Sequence, residues 1–369
     1  MGVHMSSITK RERQILSWIE EDPSISQAEI AERAGISRSS VAVHISNLMR
    51  KGVILGRRYV VRDHPYVVVI GGANIDIGGW PEHVLVARDS NPGTVTTSPG
   101  GAGRNIAHNL SLLGVDVRLI TAFGTDEYAG VLRAACRGAR IDISHSLTVP
   151  NFATSTYLYV TDETGSMTQA ISDMKIFERL TPTFFEQHMH LINNSTACII
   201  DANLPQSSIE FIVDHAGVPI FCDPVSTAKA PKVKRCLGKL TVLKPNVLEL
   251  ETLTGIKVTD DASLDRAVSS LLETGLKSVF VSRGADGLYC ARDDERLSIP
   301  TLPTKVVNTT GAGDCLMAAI VWGWLDKRSL EEIGRLSNAA AATCVESPET
   351  INSLLSPELV QERLEQSAQ

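Results

Sequence analysis

The sequence predicts a large α/β domain of three layers, with a mainly parallel sheet between two layers of helices, preceded by a small, mostly helical domain. In the second part of the chain, short Val/Ile/Leu runs alternate with helical stretches, as at residues 66–70, 117–120 and 198–200. Such alternation is typical of a parallel sheet covered on both faces. A length of 369 residues suits one small domain and one large one, which we place at residues 6–62 and 63–369.

Composition indicates a folded protein with a substantial core, because hydrophobic residues make up 43% of the chain and charged residues 21%. No apolar run approaches the roughly 18 residues needed to span a bilayer, and no signal peptide opens the chain. The seven cysteines are scattered and lack a C-x-x-C pair, which favours reduced thiols over disulfides or a zinc site. We therefore expect a cytoplasmic protein with no membrane partner.

Charge is unevenly distributed along the chain. Residues 1–62 hold ten Lys/Arg against six Asp/Glu, a net +4, whereas the whole chain has a net charge of -7, which leaves -11 for the remainder. A basic front and an acidic body suggest different partners for the two parts.

The first part has the pattern of three helices and a hairpin. Ser26 is followed three residues later by Glu29, a capping-box arrangement at the start of a second helix that ends at Gly35. A third helix begins at Ser37, and residues 53–61 alternate as two short strands around a basic tip. The buried face of the third helix is expected to hold Val41, Ile45, Leu48 and Met49. The pattern is that of a winged helix-turn-helix.

In that geometry a set of basic and hydroxyl side chains faces outward, where a DNA duplex would lie. They are Arg38, Ser39, Ser40 and His44 on the third helix, with Arg57 and Arg58 on the wing. The alternative is a small bundle used only for dimerisation or protein contact. One such module reads a single half-site, so useful affinity for DNA would need a dimer.

Two stretches, near residues 75–97 and 155–170, alternate polar and apolar residues and do not fit the rhythm of the large sheet. We predict that they form a small separate sheet, a lid over the functional site.

Known phosphate-binding loops are absent from the sequence. Gly71-Gly72 follows a strand but lacks G-x-G-x-x-G spacing, and no G-x-x-x-x-G-K-[ST] is present. The sequence therefore argues against a nicotinamide site and excludes a P-loop.

Residues 99–105 form a second glycine-rich segment at the start of a helix. Glycines there let a ligand approach the backbone closely, and Asn105 could bond hydroxyl groups from the first turn. A plain tight turn is the alternative.

Residues 308–314 form a third such segment, which leads into an apolar helix. Gly311, Ala312 and Gly313 would expose consecutive backbone N–H groups at a helix N-terminus, which makes an anion site. Asp314 follows in the first turn, where it would repel a phosphate unless it also handled a proton. Phosphoryl transfer needs that pairing of amide donors with a base beside the attacking hydroxyl.

On these residues the chain resembles the ribokinase-like carbohydrate kinases of the phosphofructokinase-B type, over residues 66–347. Both signatures of that family are present, at Gly100-Gly101 and at residues 310–314. Several longer segments are similar to those of the pseudouridine kinase branch of the family. The segments are GGANIDIGG (71–79), DSNPG (89–93), PGGAGRNIAHNL (99–110), ISDM (171–174), DANLP (201–205), DPVSTAK (223–229) and LKPNVLELETLTG (243–255).

The resemblance implies a ribokinase-like fold and transfer of the ATP γ-phosphate to the 5′-hydroxyl of pseudouridine. Asp314 would be the catalytic base, with Gly311, Ala312 and Gly313 as the anion hole. The acceptor would be held by Asn74, Asp76, Gly101 and Asn105, with Lys229 as a further contact. ATP would be held by Asn246, Arg283, Gly284, Thr310 and Asn338. Glu249 would act through Mg²⁺ and its waters.

Several alternatives stay open within that resemblance. Asn246 and Glu249 could be ordinary polar residues at a helix start, and Arg283 and Asn338 could be surface residues. Asn308 stands where many relatives have an Asp linked to monovalent-cation binding, which weakens the case for potassium. Leu316 replaces a common Phe, which we interpret as a packing change.

Three functions remain to be separated. The first is a pseudouridine kinase whose winged helix ties it to transcription, the second a kinase for another nucleoside or for a sugar such as ribose. The third is a ligand-sensing repressor that uses the kinase fold. Because the lid segments pair between chains in several relatives, the resemblance also implies a homodimer.

Overall fold

A computed structural model of the protein describes residues 8–22, 25–54 and 65–367. The chain divides into two compact units, Met1–Pro65 and Tyr66–Gln369. The domain boundary predicted between residues 62 and 63 lies outside the described residues.

The N-terminal unit contains the three predicted helices: α1 (Lys10–Glu21), α2 (Gln27–Ala34) and α3 (Arg38–Arg50). The capping box of Ser26 and Glu29 is present, and Gly35 ends α2 in the left-handed conformation at φ 63°. Ser37 caps α3 through its side chain, which accepts a hydrogen bond from the backbone N–H of Ser40. The predicted wing, with Arg57 and Arg58, lies outside the described residues.

The prediction for Met49 was wrong, because 43% of this residue is exposed. Val41, Ile45 and Leu48 are buried as predicted. At 100° per residue these three define a narrow stripe, and Met49 lies about 75° from its centre. It therefore falls on the solvent side of the stripe.

The second unit is built on an eight-stranded sheet. Its strands are β1 (Val67–Ile70), β4 (Val117–Ile120), β9 (Ala197–Asp201), β10 (Ile220–Asp223), β11 (Val242–Leu243), β12 (Ser278–Ser282), β13 (Leu288–Arg292) and β14 (Glu295–Ile299). Their spatial order is β14-β13-β12-β11-β10-β9-β1-β4. Pairing is parallel from β4 to β12, and β13 and β14 add an antiparallel edge.

Helices cover both faces of this sheet and complete the predicted three layers. They are α4 (Ala102–Leu112), α5 (Glu127–Gly138), α6 (Pro182–Asn193), α7 (Gln206–His215), α8 (Val247–Thr254), α9 (Asp261–Leu272), α10 (Ala312–Leu325), α11 (Leu330–Val345) and α12 (Pro357–Ser367). Val67 and Val69 point into the core with α4, α10 and α11, whereas Val68 and Ile70 point into the core with α6 to α9. This alternation buries both faces of β1, as a central parallel strand requires.

The two segments that broke the rhythm form a separate four-stranded sheet, as predicted. Its strands are β2 (Asn74–Pro81), β3 (Gly93–Gly100), β7 (Thr156–Thr161) and β8 (Met167–Asp173), in the order β3-β2-β7-β8. A two-stranded sheet of β5 (Ala122–Phe123) and β6 (Leu147–Thr148) completes the strands described. We call the four-stranded sheet the lid sheet. Val95 and Ile171 on it are 71% and 67% exposed.

All seven cysteines are buried free thiols. Among the helices described, none is both long enough and apolar enough to cross a bilayer.

Candidate active site

The N-terminus of α4 packs directly on the backbone that follows β1. A Cβ atom on Gly103 would lie 2.8 Å from the Cα atom of Gly71, and one on Gly101 would lie 2.5 Å from the carbonyl oxygen of Gly72. Gly101 has a φ of 99°, which side chains rarely allow. These glycines therefore do more than form a tight turn, because they place the first turn of α4 at the carboxyl end of β1, where α/β proteins bind ligands.

A hydrogen bond joins α4 to α10 at the centre of this edge. Asn105 is 4% exposed, and its Nδ2 atom donates to Oδ2 of Asp314 at 2.9 Å. The glycine-rich start of α4 and that of α10, predicted separately, thus lie together. The amide predicted to bond acceptor hydroxyls here holds the carboxylate predicted to be the base.

Helix α10 begins at Gly311, its N-cap residue, which has φ 82° and makes no side-chain cap hydrogen bond. Among the first N–H groups of the helix, that of Ala312 donates to the carbonyl oxygen of Thr309 at 3.3 Å. Gly311 lies against the carbonyl oxygen of Thr350, so that a Cβ atom would collide with it. The N-terminus of a helix of 14 residues attracts negative charge through these amides and through its dipole.

The carboxyl group of Asp314 is tuned toward neutral pH. Burial, followed by the negative charge of Asp223, raises the pKa of Asp314 to about 7. The hydrogen bond from Asn105 and the charge of Lys244 act in the opposite direction. A base with a pKa near the working pH is well suited to proton transfer.

A buried ion pair beneath the α10 terminus was missed by the sequence analysis. Nζ of Lys244 lies 3.1 Å from Oδ2 of Asp223, with both residues 4% exposed. A Cβ atom on Gly313 would lie 3.3 Å from the same Nζ. Although burial alone lowers it, the charges of Asp223 and Glu249 raise the pKa of Lys244. The available signal was that Asp223 ends β10 and Lys244 follows β11, since neighbouring parallel strands end at the same edge.

Asn246 and Glu249 form a complete capping box at the start of α8. The side chain of Asn246 accepts from the N–H of Glu249 at 2.8 Å, and Glu249 accepts in return at 2.9 Å. Glu249 is 3% exposed, and burial and the charge of Asp223 raise its pKa. Two carboxylates near one buried lysine provide hard oxygen donors of the kind Mg²⁺ prefers. The capping role is thus realised, and Glu249 offers a carboxylate to a magnesium ion through water, whereas no three His, Cys, Asp or Glu side chains of the described residues cluster as direct metal ligands.

Asn74 and Asp76 lie on β2, the first strand of the lid sheet. Nδ2 of Asn74 donates to Oδ1 of Asp76 at 2.6 Å. Burial raises the pKa of Asp76 to about 6, against the hydrogen bond from Asn74 and the charge of Arg104, which lower it. Gly100 faces this carboxylate across the β2–β3 pairing and leaves no room for a side chain.

Lys229 contacts Asn203, a polar residue that the sequence analysis did not select. Its Nζ atom donates to Oδ1 of Asn203 at 2.5 Å. Asp201, which is 1% exposed, accepts from the backbone N–H of Gly72 at 2.7 Å and from that of Asn203 at 2.8 Å. Asn203 and Lys229 are thereby fixed to the same loop that supports α4.

A cavity of about 710 Å³ opens on the other side of the α10 terminus. Its lining includes Asn246, Gly284, Ala312, Gly313 and Asn338, together with apolar side chains such as Leu316 and Val345. Its volume and mostly apolar lining are suited to a nucleotide base.

Two predicted nucleotide contacts do not line this cavity in the described part of the chain. Arg283 is directed to Asp261, at 3.3 Å, and to the hydroxyl group of Ser298. The N–H of Thr310 donates to Oδ1 of Asn308 at 2.9 Å, and the neighbouring Thr309 lines the cavity. The amide of Asn308 also donates to the carbonyl oxygen of Pro348 at 3.0 Å.

On the N-terminal unit, the residues predicted to meet DNA differ in exposure. Arg38 and Ser39 are exposed, whereas Ser40 and His44 are half-buried. The hydroxyl group of Ser40 lies 2.9 Å from that of Ser37 and so belongs to the cap of α3.

A three-layer fold with a carboxylate at a helix N-terminus, beside a cavity of about 710 Å³, is the arrangement expected of a kinase that phosphorylates hydroxyl groups. Residues 64–357 match the model of the pfkB family of carbohydrate kinases, and residues 8–54 match a model of winged helix-turn-helix DNA-binding domains. The chain belongs to the pfkB family, whose members are phosphotransferases with a hydroxyl acceptor, and has a winged helix-turn-helix domain at its N-terminus. The predicted family and fold are confirmed.

Two relatives from Escherichia coli are each 37% identical to this chain. The uncharacterized sugar kinase YeiI matches over 91% of this chain and 93% of its own length, and pseudouridine kinase matches over 80% and 95%. The match to YeiI spans 337 residues, more than the second unit contains, and so reaches into the N-terminal unit. A carbohydrate kinase from Agrobacterium tumefaciens has a similar structure, with a TM-score of 0.72, 29% identity, and coverage of 82% of this chain and 97% of that chain.

Proposed function

We propose that the protein transfers the γ-phosphate of ATP to the 5′-hydroxyl of pseudouridine. The observation that carries the proposal is the bond between Asn105 and Asp314, which sets a carboxylate with a pKa of about 7 at the start of α10, a helix end without a side-chain cap. The 37% identity to a pseudouridine kinase over 95% of that protein supports the choice of acceptor.

The reaction divides between the carboxylate and the amides. Asp314 accepts the proton of the acceptor hydroxyl as its oxygen attacks the γ-phosphorus, the bond from that phosphorus to the β,γ-bridging oxygen breaks, and ADP leaves. The N–H groups at residues 311–313 bind the charge on the phosphoryl oxygens as it is transferred. After release of the product, Asp314 returns its proton to water.

The nucleotide side is assigned to the 710 Å³ cavity, with Asn246, Gly284 and Asn338 on its wall. Glu249, with Asp223 beside it, would hold Mg²⁺ through water. When bound, that ion would neutralise phosphate charge. Lys244 lies 3.1 Å from Asp223, and its charge lowers the pKa of Glu249 against the effect of burial.

The acceptor side is assigned to Asn74 and Asp76 for the ribose hydroxyls, with Lys229 and Asn203 toward the base. The carboxylate of Asp76 accepts from hydroxyl groups only when ionised, and its pKa of about 6 keeps it so at neutral pH.

For the N-terminal unit we propose DNA binding through α3, with Arg38 and Ser39 exposed on it. Two units are needed to read two half-sites, and the exposed apolar side chains of the lid sheet, Val95 and Ile171, offer a surface for a second copy. Kinase activity and DNA binding would then belong to one homodimer.

An acceptor screen tests the enzymatic proposal. The protein is incubated with ATP and Mg²⁺ and with pseudouridine, uridine or ribose, and ADP formation is measured. We expect the highest kcat/KM with pseudouridine. Faster turnover of ribose or uridine would mean that one of these, and not pseudouridine, is the acceptor. No turnover with any acceptor would favour a ligand-sensing repressor.

A mobility-shift assay with the DNA upstream of the protein's own gene tests the second part. We expect binding that weakens steeply as salt increases. Absence of a shift at low salt would contradict DNA binding.

A further inference from the structure

Arg104 is a buried cation on the first turns of α4 whose contacts are unusual. It is 5% exposed, and it forms no ion pair within the described part of the chain. Its Nη1 atom donates to the carbonyl oxygen of Pro99 at 2.9 Å and to Oδ1 of Asn105 at 3.0 Å. Nη2 lies 3.4 Å from Nδ1 of His108. The guanidinium therefore joins the end of the lid sheet to the helix that bears Asn105.

The contact with Asn105 fixes which way its amide faces. Because Oδ1 accepts from Arg104, a half-turn of the amide would bring its NH₂ group against the guanidinium. The same orientation directs Nδ2 to Asp314. Arg104 thus determines that the group presented to Asp314 is a donor.

Arg104 also acts on the site through its charge. It lowers the pKa of Asp76, and with burial it lowers the pKa of His108 to about 4. Burial lowers the pKa of Arg104 itself, whereas nearby negative charges raise it. The titratable groups that face Arg104 or Asp76 are Asp314, His108, Cys136 and Tyr159.

Stability alone gives no reason for such a residue. Burying a cation without a paired carboxylate is costly, and apolar replacements of buried charges are often neutral or stabilising. A guanidinium retained in this place is better explained by what it does for its neighbours.

We propose that Arg104 is a positioning residue for phosphoryl transfer, which turns the Asn105 amide toward Asp314 and places a cation beside the acceptor side of the site. The inference rests on the proposed function, since it assigns Arg104 a part in the same reaction.

The test compares Arg104→Met, Arg104→Lys and the control Arg335→Met, whose arginine is exposed and pairs with Glu331 on α11. The kcat and KM values for the acceptor that the wild-type protein uses are measured from pH 5.5 to 9. We expect Arg104→Met to lower kcat/KM by 10- to 100-fold at pH 6.5. In a plot of kcat/KM against pH, the fall on the acidic side (the acidic limb) should shift to higher pH by about one unit. Arg104→Lys restores the position of the limb but not the full kcat, because an ammonium group cannot reproduce the planar fork.

A second measurement does not need an acceptor. Thermal unfolding of wild type and Arg104→Met is followed from pH 5 to 8. Removing the cation raises the pKa of Asp76 further above its unfolded value, so the variant loses stability over a window that extends to higher pH. The Tm difference, wild type minus variant, should therefore grow with pH. Repeating the comparison in a His108→Gln background removes the contribution of the imidazole.

The outcomes separate the inference from the proposed function. Wild-type protein that phosphorylates no acceptor contradicts the function and, with it, the part of Arg104 in catalysis, whereas the unfolding series still tests the effect of Arg104 on Asp76. Parallel pH profiles and parallel Tm curves for wild type and Arg104→Met overturn the inference. So does a loss of activity that follows only a lowered Tm and leaves the limb in place.

Discussion

Asn105 and Asp314, separated by 209 positions in sequence, are joined by a hydrogen bond of 2.9 Å between Nδ2 and Oδ2. The bond links the first turns of α4 and α10, so that the proposed acceptor side and the proposed phosphate site share one contact. A donor on one carboxylate oxygen leaves the other free to accept a proton. Asp314 is thereby held at the mouth of α10 in the orientation that a base requires.

Activity should depend on the ionisation of Asp314. Because the pKa of Asp314 is raised to about 7 and the base form is the ionised one, kcat/KM should rise with pH and level off above about 7. Below about pH 6 the fall should steepen as Asp76 is protonated. Initial rates at saturating Mg-ATP across pH 5.5 to 9 measure this. A flat profile between pH 6 and 8 would contradict it.

Asp314→Asn should lose activity and gain stability at alkaline pH. Loss of the base predicts a fall in kcat of roughly 10²- to 10⁴-fold. The pKa of Asp314 is about 7 when folded against an ordinary value of 3.8, so its stabilising effect is full below pH 3.8 and is lost as pH rises through 7. Asparagine does not ionise, so the variant keeps free energy of unfolding that the wild type loses, on the order of 2 kcal/mol at pH 8 after allowing for partial exposure. Unfolding of both proteins at pH 4 and pH 8 checks the sign, since no difference should remain at pH 4.

Gly311→Ala tests the amide-lined start of α10. The left-handed φ of 82° costs about 1–2 kcal/mol with a side chain, and the added methyl group collides with the carbonyl oxygen of Thr350. Both stability and activity should fall. Gly255→Ala is the matched control, because Gly255 has φ 75° but nothing within 4 Å. It should lose about 1 kcal/mol and keep its kcat. Equal behaviour of the two variants in the assay would remove the special role of Gly311.

Lys244→Met should be strongly destabilising. It leaves the buried carboxylates of Asp223 and Glu249 without their cation, a change worth about 3–5 kcal/mol. Lys257→Met removes an exposed pair with Glu251 and should cost about 1 kcal/mol or less. Denaturant unfolding of both variants makes the comparison. A small loss for Lys244→Met would mean that these carboxylates take up protons instead.

Arg38→Ala should weaken DNA binding without changing kinase activity. If Arg38 contacts a phosphate, the slope of log affinity against log salt should fall by about 1, at every DNA sequence alike. Arg335→Ala, on the second unit, is the control and should leave the slope unchanged. An unaltered slope in Arg38→Ala would place the DNA contact elsewhere.

Local patterns predicted much of the fold. Val117–Ile120 forms β4 as predicted, Ser26 and Glu29 cap α2, and the two irregular segments form the lid sheet. Their signals lie in neighbouring residues, where hydrophobic period and capping chemistry act. The start of α10 was predictable for the same reason, since glycines and an acid at a helix start have a chemistry of their own.

Contacts between distant segments could not be predicted in this way. Lys244 and Asp223 are brought together only by the order of strands in the sheet. The hydrogen bond from Arg104 to Asn105 depends on the rotamers of both side chains, which no sequence pattern predicts. Arg283, which the resemblance assigned to the nucleotide, pairs with Asp261 and donates to Ser298 on β14, contacts between distant segments that no local pattern shows. Met49 was predicted on the buried face of α3, but it lies about 75° around the helix from the centre of that face.

The close packing of Gly71, Gly101 and Gly103 makes the join between β1 and α4 a contact of main chain on main chain. No side chain intervenes, so the spacing between strand and helix is set by van der Waals contact between two backbones and not by the choice of packing side chains. One methyl group at Gly101 or Gly103 would collide with the main chain after β1 and push the start of the helix, and Asn105 with it, away from its partner.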